Sequence, residues 1–304
     1  MLPEQASTFA PRVDNLYFYL IGLSVVATVL IVALIVGFTI RYRYRPDAEP
    51  LRIDPENWKL EATWIVIPFI VIMVAFGWGA SLFVEMSAPP EDAEEIHVVG
   101  KQWMWHVSHP GGRREINELH VPRGRPVQLT LTSEDVIHSF YVPAFRVKQD
   151  AVPGRFTSLW FEATRTGEYR LFCAEYCGTD HALMIGRVVV MEPAAYERWL
   201  EASDDPLASA GARLFQEKRC ADCHTGEPDA TGPRLAGRFG RMVEIQGRDE
   251  PVRFDLDYLR QSVYEPNAKL AAGYPGVMPT YRGRLSSEDI IKLAAYLELA
   301  GEGR

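Results

Sequence analysis

The sequence predicts a chain in three parts: a pair of membrane-spanning helices, an all-β sandwich or Greek-key barrel, and a small all-helical domain. Three observations predict it. Two long stretches without a single charge lie near the N-terminus, short strand-like runs divided by Pro and Gly turns fill the middle, and helical segments return after Pro193. At 304 residues the chain has room for about two soluble domains beside the membrane part.

Leu16 to Ile40 and Ala62 to Val84 run 25 and 23 residues without a charged side chain. Each exceeds the roughly 20 residues that cross a bilayer core as helix. A secretory leader has a basic start, a shorter apolar core and a small-residue cleavage site, whereas Glu4 and Asp14 precede the first stretch. It therefore reads as an anchor, and residues 1–88 as a hairpin with spans at about 16–40 and 62–84. Arg41, Arg43, Arg45, Arg52 and Lys59 gather between the spans, while only Arg12 precedes the first. Basic residues collect on the cytoplasmic side, so both termini are expected on the outer, periplasmic face of a bacterial inner (plasma) membrane.

Pro89 and Pro90 open residues 89–202. Glu95 to Val107, Pro126 to Thr132, Thr157 to Phe161, Glu168 to Phe172 and Gly186 to Met191 read as strands, with turns at Pro110-Gly-Gly, Pro122-Arg-Gly124 and Pro153-Gly154. Pro193 starts an amphipathic helix. Residues 203–210 read as a linker on composition, and 211–304 as the helical domain, ending in a helix that Ser286 and Asp289 cap. Net charge is −1, −4 and −3 over residues 1–84, 85–200 and 201–304. No part carries the basic footprint that nucleic-acid binding needs.

The outer face is oxidising, so each of the four cysteines needs a covalent or metal partner. Cys173-Ala-Glu175-Tyr-Cys177 and the following His181 and Met184 put two thiols, an imidazole and a thioether on one loop. Soft sulfur with imidazole selects copper, and a mononuclear blue-copper site uses one Cys, two His and a Met. The additional thiol lets both sulfurs bridge two copper ions, with His181 and an upstream imidazole, His138, capping the metals. Cys220-Ala-Asp-Cys223-His224 is the attachment signature of c-type haem, whose axial His is the adjacent residue. Met278, in Gly276-Val-Met278-Pro279, is the expected sixth ligand, and Met242 the competitor. All seven histidines lie beyond residue 96, so neither span offers an imidazole to a metal inside the bilayer.

Glu61-x-x-Trp64-x-x-x-Pro68, Gln102-Trp-Met-Trp105, the segment 133–143 around His138, Lys148-x-Asp150-Ala-x-Pro153-Gly154-Arg155 and the sulfur loop together resemble subunit II of haem-copper cytochrome c oxidases. The form it is similar to is the caa3 type, fused to a C-terminal cytochrome c domain. The resemblance implies a cupredoxin-like sandwich with a dinuclear CuA centre on His138, Cys173, Cys177, His181, Met184 and the Glu175 carbonyl. It further implies magnesium or manganese shared with subunit I through the Glu175 carboxylate, electron entrance at Trp103 with Trp105 as neighbour, and Glu61 at a proton channel. The implied partners are subunit I, subunit III, a c-type cytochrome or other periplasmic donor, and membrane lipid. No catalytic residue is expected in this chain, because oxygen chemistry belongs to the partner. The CuA subunit of a nitric oxide reductase and a free-standing membrane electron carrier are the alternatives.

Overall fold

The computed structural model describes residues 2–46, 57–202, 205–224, 226–227 and 230–302. Arg52 and the first two residues of the expected linker, Ser203 and Asp204, lie outside them.

Helices α1 (Ala10–Arg41) and α2 (Trp58–Ser87) form the anchor. Both outrun the apolar stretches because capping extends them. The Ser7 hydroxyl accepts from the Ala10 amide at 3.1 Å, and the Asn57 side chain from that of Leu60 at 3.2 Å. Their flanks stay bare: Val26, Ile40, Phe69 and Phe83 are 65, 68, 60 and 71 % exposed. So much exposed apolar surface on two long helices suits lipid. The start of α1 and the end of α2 both sit on the β domain. Phe9 is buried edge-on against Trp160, the Trp160 indole donates to the Glu85 carbonyl at 2.9 Å, Arg146 pairs with buried Asp14 at 2.8 Å, and Arg12 pairs with Glu85. The hairpin therefore projects away from the β domain with Arg41 and Trp58 at its far end.

Ten strands follow: β1 (Glu94–Lys101), β2 (Met104–Ser108), β3 (Arg114–Ile116), β4 (Glu118–Pro122), β5 (Pro126–Ser133), β6 (His138–Val142), β7 (Val147–Ala151), β8 (Thr157–Glu162), β9 (Gly167–Cys173) and β10 (Ile185–Met191). They form two five-stranded sheets, ordered β3-β2-β1-β5-β8 and β4-β10-β9-β6-β7. β1 with β5 and β10 with β4 run parallel, so the chain crosses between sheets in the Greek-key manner rather than as a meander. Alternation does the packing: in β5, Val127, Leu129 and Leu131 are fully buried while Gln128, Thr130 and Thr132 are not. The expected single strand 95–107 is instead a hairpin, turning at Gln102-Trp103. That turn lacks Gly, Asn and Pro, the residues by which hairpins are read. It is held by side chains from elsewhere, with Asp135 accepting from the Gln102 amide at 2.7 Å.

α3 (Pro193–Glu201) closes the sandwich, and the C-terminal domain holds α4 (Pro206–Glu217), α5 (Leu256–Tyr264) and α6 (Ser287–Glu302). The stretch expected as linker to residue 210 is helical from Pro206, since Asp205 caps the Leu207 and Ala208 amides and Pro206 supplies a helical φ at the first turn. Gly211 lets α4 cross α6 at backbone contact. A Cβ there would fall 1.9 Å from the Lys292 carbonyl oxygen. At the head of α6, Ser286 and Asp289 cap each other's amides at 3.1 and 2.9 Å.

Candidate metal centre and haem cleft

Strand β6 begins at His138 and β9 ends at Cys173, so pairing of Phe140 with Cys173 brings these two ligand candidates to one edge of one sheet. The loop after β9 then folds back, the Ala174 amide donating to the Ser139 carbonyl at 2.9 Å. A short helical turn over His181–Leu183 returns Met184 to the core. His138, Cys177 and Met184 are buried, at 0, 2 and 1 % exposure, and Cys173 nearly so.

The two sulfurs stand 3.8 Å apart, with His181 Nδ1 at 3.5 Å and Met184 Sδ at 3.8 Å from the Cys177 sulfur, and the Glu175 carbonyl oxygen at 3.2 Å from that of Cys173. His138 and both thiols place one donor atom each within 4.8 Å of one another. A disulfide needs about 2.05 Å. Two thiolates on one metal at about 2.3 Å and a tetrahedral angle stand about 3.8 Å apart. His138 Nδ1 is buried without a hydrogen-bond partner, while Nε2 bonds Asp135 at 2.8 Å. A buried orphan nitrogen turned away from its only carboxylate is what a metal ligand with an outer orienting partner looks like. The donors fit copper.

Burial works against charge on Cys173, but His138 and backbone groups of Ser139 and Glu175 outweigh it and hold this thiol down, at about 6. Cys177, buried beside that thiolate, is pushed up to about 12. Two anions in so small a space require a cation between them. Trp103 lies on the loop itself, its indole donating to the Cys177 carbonyl at 3.3 Å beside Gln102 Nε2 at 2.8 Å. Trp105 is fully buried, edge-on to His138 with ring centres 5.9 Å apart. The Glu175 carboxylate points to solvent, and Glu61 is exposed in the first turn of α2. Asp135 and Gln102, which orient the site, lie in segments that carry the resemblance, but neither reads as a site residue in the sequence, because no spacing pattern marks the hydrogen bonds that give them that role.

In the C-terminal domain Cys220, Cys223, His224 and Met278 line one cleft, walled by Leu235, Leu259, Val263, Leu293 and Leu297. A helical turn over Cys220–Asp222 puts both thiols at its mouth. His224 Nδ1 bonds the Pro233 carbonyl at 2.7 Å. A carbonyl only accepts, so Nδ1 carries the proton and Nε2 is left as a ligand. Burial keeps this ring neutral, the Pro233 carbonyl opposing only in part. Gly232 makes room for it, since a Cβ there would lie 2.7 Å from His224 Cε1. Met242 is 60 % exposed on a strand paired with Arg253, away from the cleft, which Met278 lines. Replacing Met278 with Ala is expected to remove the Met-ligated, low-spin haem spectrum without loss of covalent haem; an unchanged spectrum would exclude Met278 as the ligand.

A lipid-facing helix pair, a sandwich with a sulfur-rich metal site and a helical domain with a thiol-lined haem cleft define a membrane-anchored electron-transfer protein with two redox centres. Residues 111–192 match the family described as cytochrome C oxidase subunit II, periplasmic domain, and residues 206–297 that described as cytochrome C oxidase, cbb3-type, subunit III. The chain is 33 % identical to cytochrome c oxidase subunit 2 of Alkalihalophilus pseudofirmus over 307 aligned positions, covering 93 % of this chain and 85 % of that one. It is 32 % identical to cytochrome c oxidase subunit 2 of Thermostichus vulcanus, covering 66 % and 77 %. Among solved structures, the periplasmic domain of subunit II of cytochrome oxidase from Bradyrhizobium japonicum is 35 % identical over 38 % of this chain and 95 % of that one, with a TM-score of 0.36. The chain belongs to the cytochrome c oxidase subunit II family, in a form carrying a cytochrome c domain. Copper of the CuA kind and haem c are the cofactors that these two domains imply.

Proposed function

We propose that this chain is the electron-input subunit of a terminal oxidase, accepting electrons at its haem c and passing them through a dinuclear copper centre to the haem-copper site of subunit I, for reduction of O2 to water coupled to proton pumping. The observation that carries this reading is the convergence of two thiols, the orphan Nδ1 of His138, the His181 imidazole and the Met184 thioether in one buried site. Copper held there would supply a one-electron couple. His138, Cys173, Glu175 through its carbonyl, Cys177, His181 and Met184 hold it. Cys220 and Cys223 would anchor the haem, and His224 and Met278 would hold its iron.

The remaining assignments rest on position. Trp103 hydrogen-bonds the copper loop and is where electrons enter it. The exposed Glu175 carboxylate is free to share a magnesium or manganese ion with subunit I. Glu61 and the β domain stand at opposite ends of α2, about 39 Å apart at 1.5 Å per residue. On this reading Glu61 stands at the inner mouth of a proton channel and the two soluble domains lie outside, where a c-type cytochrome or other donor reaches them. Domain limits near 1–88, 89–202 and 205–304, and contacts with subunits I and III, belong to the same reading.

The direct test is the purified complex: two copper atoms per chain beyond those of subunit I, a mixed-valence copper spectrum, and haem c absorbing apart from the partner's haem. One copper or none in active material would overturn it. A Glu61→Gln complex is expected to lose at least about half of its pumped protons per electron, as the neutral side chain cannot exchange one. Pumping and turnover equal to the parent would remove Glu61 from that role.

A further inference from the structure

On the outer face of the first sheet, a patch on β2 and β3 is not open to solvent. Trp105 and Val107 point into the sandwich, so Met104 and His106 point out, and register places Ile116 beside His106. Met104 and Ile116 are only 6 and 3 % exposed, because Leu207 and Ala208 of α4 and Ala295 of α6 cluster on them, with Ile291 at the edge. The C-terminal domain is thus seated on this face by its back. Leu293 and Leu297 line the haem cleft, and a two-residue step along a helix turns about 200°, so the cleft opens on the far side of α6. The rim is polar: Asn117 Nδ2 donates to Glu288 at 2.7 Å, Arg114 stands 3.6 Å from Asp205, and Arg113 donates to the Ala202 carbonyl at 3.0 Å.

His106 shares this face with Met104 and Ile116, and its Nε2 is buried without a hydrogen-bond partner. The charged groups around it are already matched. Lys101 pairs with Glu134 at 2.8 Å, Arg114 faces Asp205, and Glu288 holds Lys292 and Asn117 from α6. Among the described residues, none of these is spare to meet an imidazolium. A neutral ring is tolerated in such a seam, whereas a charged one without partner is expelled.

We propose that His106 makes the seat between the two soluble domains acid-labile, a proton on its imidazole releasing the haem domain from the copper domain. Burial holds the seated ring below its ordinary range, Glu134 opposing and Lys101 adding to this. The sign follows. Above about pH 6.5 both states are neutral and seating is constant; below it only the released form binds the proton, so the seating constant falls by up to about tenfold per pH unit until the seated ring titrates. If the soluble domains face the side that receives pumped protons, as proposed above, acid accumulating there frees the haem domain, and this consequence alone rests on that reading.

Met104 reports the seat directly, since its thioether is covered by the other domain and oxidises readily when exposed. Hydroxyl-radical footprinting of the full chain with its cofactors, read by mass spectrometry, should show Met104 oxidation rising up to about tenfold per pH unit below about pH 6.5. Exposed Met242 serves as the invariant reference. In His106→Gln the rise should vanish. A flat response in the parent, or the same rise in His106→Gln, overturns the proposal. Copper and haem absorption verify the fold of each variant, and His106→Leu replaces a Gln variant that fails to assemble. The readout needs no electron transfer, so a failure of the oxidase reading would leave it intact.

Discussion

Replacing Cys177 with Ser is expected to abolish the paired copper site while leaving the haem domain spectrally normal. Cys177 is the one residue whose sulfur approaches Cys173, His181 and Met184 at once, at 3.8, 3.5 and 3.8 Å. A serine hydroxyl does not ionise at neutral pH and is a hard donor, so the second bridge is lost and His181 and Met184 have no shared partner. Loss of an outer orienting partner already reduces metal affinity or activity by about 10–100-fold, and loss of a bridging ligand should exceed that, with turnover down more than about a hundredfold. Metal analysis and the mixed-valence copper spectrum of the assembled complex measure it. Two coppers with an intact spectrum in Cys177→Ser would mean that the sulfurs do not bridge. Asp135→Asn is a contrasting case, since it spares every ligand and alters only the group bonded to His138 Nε2.

The sulfur loop could be read in the sequence because five of its chemistry-bearing positions fall within twelve residues, a density that no strand or helix period produces. His138 could be named only as an upstream imidazole, for its approach depends on β6 pairing with β9, and non-local pairing leaves no local mark. The membrane hairpin was legible from absence of charge alone. The start of α4 was carried in the sequence but outweighed: Asp205-Pro206 is an N-cap followed by a first-turn proline, yet the Ser, Asp and Ala around it have linker composition. Gln102-Trp103 hid a hairpin because other segments hold its turn. The seat between the domains had no sequence signal, since Met104 and His106 read as ordinary strand alternation and Ile116 fell in no expected element, and only α4 and α6 cover Met104 and Ile116.

Glu115 has no counterpart in any motif, yet its replacement is expected to be the most destabilising change away from the cofactors. It is 4 % exposed and receives His109 Nε2 at 2.7 Å, His120 Nδ1 at 2.6 Å and the His120 amide at 3.1 Å. Trp199 of α3 stacks on His120 at 4.4 Å and meets His109 edge-on at 5.0 Å, while Tyr196 of α3 donates to Glu94. The carboxylate therefore ties β3 and β4 to the helix that leads toward the haem domain. Arg113 continues the tie, lying 4.4 Å over the Trp199 ring while donating to Ala202 at 3.0 Å. Glu115→Ala strands one buried and one partly buried imidazole and should lower stability by about 3–5 kcal/mol, the usual loss on breaking a buried pair from one side. The pH dependence has a definite sign. Burial pushes this carboxyl up, but the two imidazoles outweigh it and hold it down at about 2, against 4.5 unpaired. A carboxyl depressed in the folded state adds stability above its unfolded pKa and loses it as pH falls toward the folded one. Each tenfold change in proton affinity is worth about 1.4 kcal/mol, so roughly 3 kcal/mol should disappear between about pH 4.5 and 2. Denaturant melts of the full chain across that window should show the parent's stability falling and converging on that of Glu115→Ala. Parallel curves would mean that the imidazoles do not hold the charge, and that α3 is fixed by aromatic packing alone.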